Sequence, residues 1–411
     1  MPDSPRLTPL PDPLTPPAAL PPGFLDKLRL GASARDAERL LPYAEIAELK
    51  ALRFGARRLP IALGGAGASI AEVMASLIDL AEADPNIAHI WRNHTMLLER
   101  VGIAPTRDAA LLRLRARLAQ GDLLSLAATE LDRAQTGGSS RFSSTFRPAG
   151  DHFRFSGRKF YSTGVLYADW ILVTGSREDG SNASAIVPAD RAGIERLDDW
   201  TGMGQRLTAT GTTLFHDVRI EPQEIISAEA IPPEAAPLSS TTAQLVLTGV
   251  VAGIVASVAR DAAELLARRK RTYYFAPAEH ANDDPILLQG LGERQADAFG
   301  ARAIVLAAAD FLDRAAAAMA AGAAPDEQQH LTQEAAAAAA KAKILVDRIA
   351  HAAATALFDV AGASSTLREK NLDRHWRNLR TVSSHNPASY KAFALGNRTL
   401  NNVPLPRLGF F

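Results

Sequence analysis

The chain has 411 residues, enough at about 150 per domain for two or three domains, and it is 47% hydrophobic and 22% charged, as a globular protein is. Its 45 Lys plus Arg balance 45 Asp plus Glu, which argues against a nucleic-acid partner, since such proteins carry a basic excess. There is no cysteine, which excludes disulfides, thiolate zinc sites, iron–sulfur clusters and cysteine nucleophiles, and fits a reducing cytoplasm.

Nine prolines fall among the first 22 residues, so residues 1–24 read as an extended or disordered arm. It has neither the basic start nor the apolar run of an export signal. Residues 25–124 read as a helical domain, because "DAERLLPYAEIAELKALRFG" and "SIAEVMASLIDLAEADPNIAHIWRNHTMLLERVG" carry apolar residues at three- and four-residue spacing. The Gly64-Gly65-Ala66-Gly67 string between them lacks the third glycine and the preceding strand of a dinucleotide loop. His89 and His94 are five residues apart and do not make an i, i+4 metal pair; no "HExxH" occurs, and no metal site is expected.

Residues 125–232 change texture. Short alternating runs such as "HFRFSGRKFYSTG", "DWILVTGS" and "ASAIVPAD" end in turn residues, as expected for a small β-barrel or sandwich domain. Residues 233–411 return to helix. Ala243 to Ala259 carries no charge over 17 residues, but charges follow at once, so it reads as a buried core helix and no membrane partner is expected. The Ala-rich stretches at 296–321 and 333–358 suit closely packed helices.

The densest polar sequence is "REKNLDRHWRNLRTVSSHNPASYKAFALGNRTLNN". On a helix Arg374, Arg377 and Asn378 share a face. Arginines, asparagines, histidines and Trp376 together suit an anion or a planar polar ring, which makes Arg377 a candidate cofactor contact.

With these residues in view, the chain resembles the acyl-CoA dehydrogenase fold: N-terminal helical domain, middle β-barrel, C-terminal four-helix bundle ending in a flavin- and substrate-facing tail. "AATELDRAQTGGSS", "GRKFYSTGVLYADWILVTG" and "GQRLTATGTTLFHDVRI" occupy the places of that fold's flavin-contacting segments. "FDVAGASSTLREKNLDRHWRNLRTVSSHNP" is similar to the flavin-dependent monooxygenases of the dibenzothiophene monooxygenase and sulfur-acquisition type. The resemblance implies a two-component enzyme. Free FMN, reduced by a separate NAD(P)H:flavin reductase, reacts with oxygen, and a flavin hydroperoxide oxygenates a small, largely apolar, sulfur-containing substrate. It also implies a homotetramer.

Residue by residue, the resemblance puts His94 and His385 against flavin and substrate, as proton donors or relays with pKa values near neutrality. It puts the Thr163 hydroxyl, with Ser162 as the neighbouring register, at the flavin nitrogen beside the reactive carbon. Thr129 would touch the pyrimidine side, Trp200 would wall the ring, and Arg271 would meet a phosphate across a subunit interface. One alternative is an acyl-CoA dehydrogenase with FAD. Counting from Gly362 places Glu369 where its base stands, but the stretch reads "GASSTLRE" and the later "EGT" is replaced by His385-Asn386-Pro387. Another is a non-catalytic flavoprotein or scaffold.

Overall fold

The computed structural model describes residues 17, 19–103, 106–131, 141–407 and 411, so most of the proline-rich arm lies outside the described residues. The N-terminal region is helical: α1 (Pro22–Glu38), α2 (Tyr43–Ala51), α3 (Ile70–Ala83), α4 (Pro85–Ile90), α5 (Arg92–Leu97) and α6 (Ala109–Ala119). The boundaries have local causes. Pro22 starts α1 at a position that needs no amide hydrogen, and Arg39 ends it in the left-handed conformation. Ser69 and Glu72 close a capping box on α3. The Asp84 side chain accepts the Asn86 N–H and starts α4.

The middle region holds β1 (Leu124–Ala127), β2 (Thr145–Ala149), β3 (His152–Lys159), β4 (Trp170–Arg177), β5 (Asn182–Pro188), β6 (Ile194–Arg196) and β7 (Thr213–Ile220). They form one sheet in the order β1-β4-β2-β3-β7-β6, with β5 antiparallel to β4. The expected barrel is realised as a curled half-barrel: β6 stands at one end of the order, bonded to β7. Its concave side is filled by Phe146, Phe155, Phe215 and Val218, all buried.

The C-terminal region comprises α7 (Ala235–Ala267), α8 (Pro285–Ala320), α9 (Pro325–Ala361), α10 (Asp373–Ser383) and α11 (Ala388–Asn401). Three long helices form the bundle, with α3 from the N-terminal region and α10 filling the remaining sides of α7. α7 is long and apolar enough to cross a membrane, yet 94% of its most apolar window is buried inside the protein. Its apolar surface is used in the core. The alanines of α8 and α9 do the same: Ala301, Ala309, Ala315, Ala335, Ala350 and Ala353 are buried, and their small side chains let three backbones approach. The Ala335–Ala340 tract belongs to the same core, with five of its six alanines buried.

Candidate functional site

The three regions meet at a polar junction. α4 and α5 supply His89, Arg92 and Asn93; the loop after β3 supplies Tyr161, Ser162 and Thr163. The loop before β7 supplies Trp200, Gln205, Thr208 and Thr210; Gln244 comes from α7, Asn378 from α10, and His385 and Asn386 from the turn before α11.

These groups are linked by short bonds. Asn93 Nδ2 donates to the Thr163 carbonyl at 3.0 Å, and Ser125 Oγ donates to the same oxygen at 2.9 Å. Arg92 donates to Asn93 Oδ1 at 3.1 Å. The Thr163 and Thr210 hydroxyls are 3.0 Å apart, and Thr208 and Thr210 are 2.7 Å apart. Gln205 is the hub. Its N–H donates to Asn378 Oδ1 at 2.6 Å, its carbonyl accepts from Trp200 Nε1 at 2.9 Å and Thr208 Oγ1 at 2.8 Å, and its Oε1 lies 3.0 Å from His89 Nδ1. Two glycines make this closeness possible. A Cβ on Gly204 would stand 2.1 Å from the Arg377 carbonyl, and Gly164, at φ +81°, would bring one within 2.9 Å of the Ile90 carbonyl.

Two histidines on neighbouring turns behave oppositely. Leu124 N–H donates to His94 Nδ1 at 3.1 Å, so the other nitrogen carries the proton and donates to the Gly55 carbonyl at 3.0 Å. Both ring nitrogens are spent on backbone, and the ring packs edge-on against Trp91 at 5.2 Å. His94 is a brace between the N-terminal helices and β1. The expectation that it faces flavin and substrate is not met. His89 is held differently. Gln205 Oε1 can only accept, so His89 carries its proton on Nδ1 and presents a lone pair at Nε2.

The expected near-neutral pKa values are not met either. Burial, then the charge of Arg92, pushes His89 down to about 4. Burial pushes His94 down to about 4 as well. His385 is held well below 6.5 by burial first and then by Arg92, His89, Lys343 and Lys391. Burial also lowers Arg92, to about 10, which leaves it charged at neutral pH.

The remaining candidates divide. Ser162 and Thr163 are both buried in the junction. Trp200 is half-buried, its ring centroid 6.3 Å from that of Tyr161 in an edge-to-face arrangement, and Tyr161 is a residue the sequence motifs did not single out. Tyr161 is 53% exposed and has φ +55°, so an aromatic face is presented at the rim. Thr129 bridges to Phe160 at the end of β1, its carbonyl accepting that N–H at 2.8 Å; the segment that follows lies outside the described residues from Asp132 to Ser140. Arg271 is exposed on the connection between α7 and α8. Arg377 does not serve as a cofactor contact. Its guanidinium is committed to Asp36 at 2.7 Å, Asp373 at 2.7 Å, Asn371 at 2.8 Å and the Met203 carbonyl at 3.2 Å. Glu369 stands on an exposed turn, Arg368–Lys370, where a base that must strip a proton inside a dry site has no purpose.

Beneath the junction, Lys159 and Glu130 form a fully enclosed pair at 2.6 Å. Burial works to raise Glu130, but bonds from Lys159, Ser144 and Ser143 outweigh it and hold the carboxyl at about 2.

The junction fits a flavin ring. Ser162 Oγ, Gln205 Nε2, Gln244 Nε2 and Arg92 Nε are buried without a partner among the described residues. All four can donate, and a flavin presents ring nitrogens and two carbonyl oxygens to such donors. Among the described residues no group of three or more His, Asp or Glu could hold a metal. A cavity of about 1060 Å³ lies elsewhere, lined by Arg58, Ile61, Glu99, Leu238, Asp313 and Met319, and none of the junction residues borders it.

Comparison with known proteins gives the following. Residues 245–390 match the model of the acyl-CoA dehydrogenase C-terminal domain. A dibenzothiophene monooxygenase of Rhodococcus erythropolis is 28% identical over 95% of this chain and 94% of its own length. SfnC of Pseudomonas putida, named a probable FMNH2-dependent monooxygenase, is 27% identical over 84% of each chain. The solved structure of the methanesulfinate monooxygenase MsuC from Pseudomonas fluorescens superposes with a TM-score of 0.83 at 28% identity, covering 95% of this chain and 100% of that one.

Proposed function

We propose that this chain is a flavin-dependent monooxygenase built on the acyl-CoA dehydrogenase fold, and we assign the residues that serve the reaction. The enzyme uses reduced FMN, delivered by a separate flavin reductase, and dioxygen to oxygenate a small substrate. The names of its relatives support sulfur as the atom oxidised. The observation that carries the reading is the set of unpartnered donors around Thr163 and Gln205, beside two histidines held neutral.

When bound, reduced FMN supplies the two electrons that allow one atom of dioxygen to go to the substrate and the other to leave as water. The protein's part is to bind, orient and manage protons. Thr163 and Ser162 offer hydroxyls to the ring edge, with Thr210 holding Thr163 in place. Tyr161 and Trp200 cover a ring face. His89 accepts a proton at Nε2, and Gln205 fixes its tautomer. His385 stands close enough to feel the charge of Arg92. An anion arriving between these groups raises both histidines, because it offsets the charge that lowers them.

With Glu369 on an exposed turn, the dehydrogenase reading has no enclosed base, and FAD has no special claim. We further propose a soluble cytoplasmic homotetramer. Support comes from Tyr273, Tyr274 and Phe275, which are 62%, 89% and 82% exposed beside Arg271 on the α7–α8 connection. A second copy is the natural cover for such a patch. Light scattering at micromolar concentration tests this, and a stable monomer refutes it.

The test of function supplies purified protein with a flavin reductase, NADH, oxygen and a panel of small sulfur compounds. The expected product gains one oxygen atom and requires FMN, with FAD a poor replacement. Reduction of bound FAD by an acyl-CoA, abolished in Glu369→Gln, overturns the reading.

A further inference from the structure

Glu130 and Lys159 are enclosed, their side chains 1% and 0% exposed. The Glu130 carboxylate gathers three segments. It accepts from Lys159 Nζ at 2.6 Å, from the Ser143 amide and hydroxyl at 2.7 and 2.9 Å, and from the Ser144 amide and hydroxyl at 3.0 and 2.6 Å. Lys159 Nζ also lies over the Phe142 ring, 4.3 Å from its centroid. An enclosed ion pair is a poor route to stability, since apolar side chains of similar volume serve a core as well or better. What apolar groups cannot supply is direction: these charge-assisted bonds fix where the three segments stand relative to one another. The same segments lead into the flavin-edge residues. The carbonyl of Thr129, one residue before Glu130, accepts the N–H of Phe160, one residue after Lys159, at 2.8 Å. Tyr161 then turns through φ +55°, and the Ser162 N–H donates to the Gly211 carbonyl at 3.1 Å. The pair stands at the root of both the segment that carries Thr129 and the one that carries Ser162 and Thr163.

We propose that Glu130 and Lys159 are positioning residues of this centre: the pair sets the register between Thr129 and Phe160, and through it the place of the Ser162 and Thr163 hydroxyls against the flavin ring. The identity of the ring rests on the flavin-monooxygenase reading; the register rests on the geometry alone. The carboxylate acts through the backbone of Thr129 and the ammonium through that of Phe160, so neither needs to touch the ring. Ser125 Oγ and Asn93 Nδ2 both donate to the Thr163 carbonyl, at 2.9 and 3.0 Å, so a shift at Phe160 is passed to a group tied to β1 and α5 as well. If the pair only held the sheet together, an apolar pair of similar size would replace it with no loss of flavin. As a positioning device, its apolar replacement restores stability and not the register.

The experiment separates stability from position. Lys159→Met, the double variant Glu130→Leu with Lys159→Met, and Glu130→Asp are compared with the native chain. Three quantities are read: the urea midpoint, hydrogen exchange of the peptide spanning residues 159–164, and FMN affinity with the visible dichroism of the bound flavin. Lys159→Met strands a buried carboxylate and should lower the midpoint sharply. The double variant should return the midpoint close to the native value, while residues 160–164 exchange faster than β7 beside them. Its FMN affinity should stay about tenfold weaker, with altered dichroism, as for a hydrogen bond lost at the ring edge. Glu130→Asp keeps the charge and shortens its reach by one methylene. It should fold and show the same changes to a smaller degree, and it carries the test if the double variant does not fold. Exchange and FMN affinity at the native level in either folded variant overturn the proposal. So does faster exchange with FMN binding unchanged, because the register then does not reach the ring. A native chain that binds no FMN, with exchange at 160–164 still following the pair, sinks the flavin reading and leaves the register standing.

Discussion

Two polar networks flank α10, built from the same residue types and put to opposite uses. On one side Asp36 takes Arg377 at 2.7 Å and Asn371 at 3.1 Å, while Asp261 takes Arg374 at 2.7 Å and His375 at 2.8 Å. Every charge there has its counter-charge. Burial works to raise Asp261, but His375 and the neighbouring arginines hold it far below the usual carboxylate range. On the other side His89, Arg92, Gln205 and His385 gather without a carboxylate among the described residues, and Arg92 Nε and Gln205 Nε2 are left without a partner among them. The difference is two aspartates. With them a buried polar network is complete and holds the regions together; without them it is incomplete and awaits a ligand.

The comparison can be broken at several points. The largest effect is expected from Asp36→Ala, which strands Arg377 and Asn371. Removing one partner of a buried pair costs about 3–5 kcal/mol, so the urea midpoint should fall sharply while the protein still folded keeps its FMN affinity. A midpoint within error of the native value refutes the saturated network as a structural tie.

Next comes His89→Ala. It should lower product formation about a hundredfold and raise hydrogen peroxide release, with little change in melting temperature. His385→Ala should follow it in direction and leave flavin binding nearly intact. His94→Ala sharpens the contrast. It removes two backbone bonds and opens a cavity, so it should cost about 2–3 kcal/mol of stability and spare turnover per folded molecule. If His94→Ala abolishes turnover with stability intact, the two histidines have been assigned the wrong way round.

A pH series is expected to show a smaller, graded effect. His89 and His94 bind their proton less readily when folded, at about 4, than when unfolded, near 6.5. The unfolded chain therefore takes up protons first, and stability should decline as pH falls from 6.5 towards 4. Glu130, held at about 2 despite its burial, adds a further loss as pH falls from about 4.5 towards 2. Thermal melts of the native chain and of the His89→Ala, His94→Ala double variant check the upper window, where the variant should be flatter. The smallest effect is expected from Thr163→Val, which loses the Thr210 contact and about 1 kcal/mol, read as a several-fold weaker FMN dissociation constant.

Much of the architecture is legible in the residues themselves. Apolar spacing, the Ser69 cap, the proline that opens α1 and the uncharged stretch within α7 are local signals, and each depends on neighbours a few positions away. "STG" and "SSHNP" mark the turns that bring Ser162, Thr163 and His385 to the junction for the same reason. What the residues alone do not decide is which polar groups meet. His89 and His94 lie five positions apart on consecutive short helices, and only the placement of Gly55, Leu124 and Gln205 makes one a brace and leaves the other a free lone pair. Arg377 looks like a ligand contact until Asp36, 341 positions away, arrives to neutralise it. Arg92 draws no notice in the sequence; its meaning comes from the absence of a facing carboxylate among the described residues, a property of the packed interior. Helices and turns follow from short-range sterics and hydrogen bonding, whereas the role of a buried charge follows from what the fold sets against it, and that is decided only when distant segments close around it.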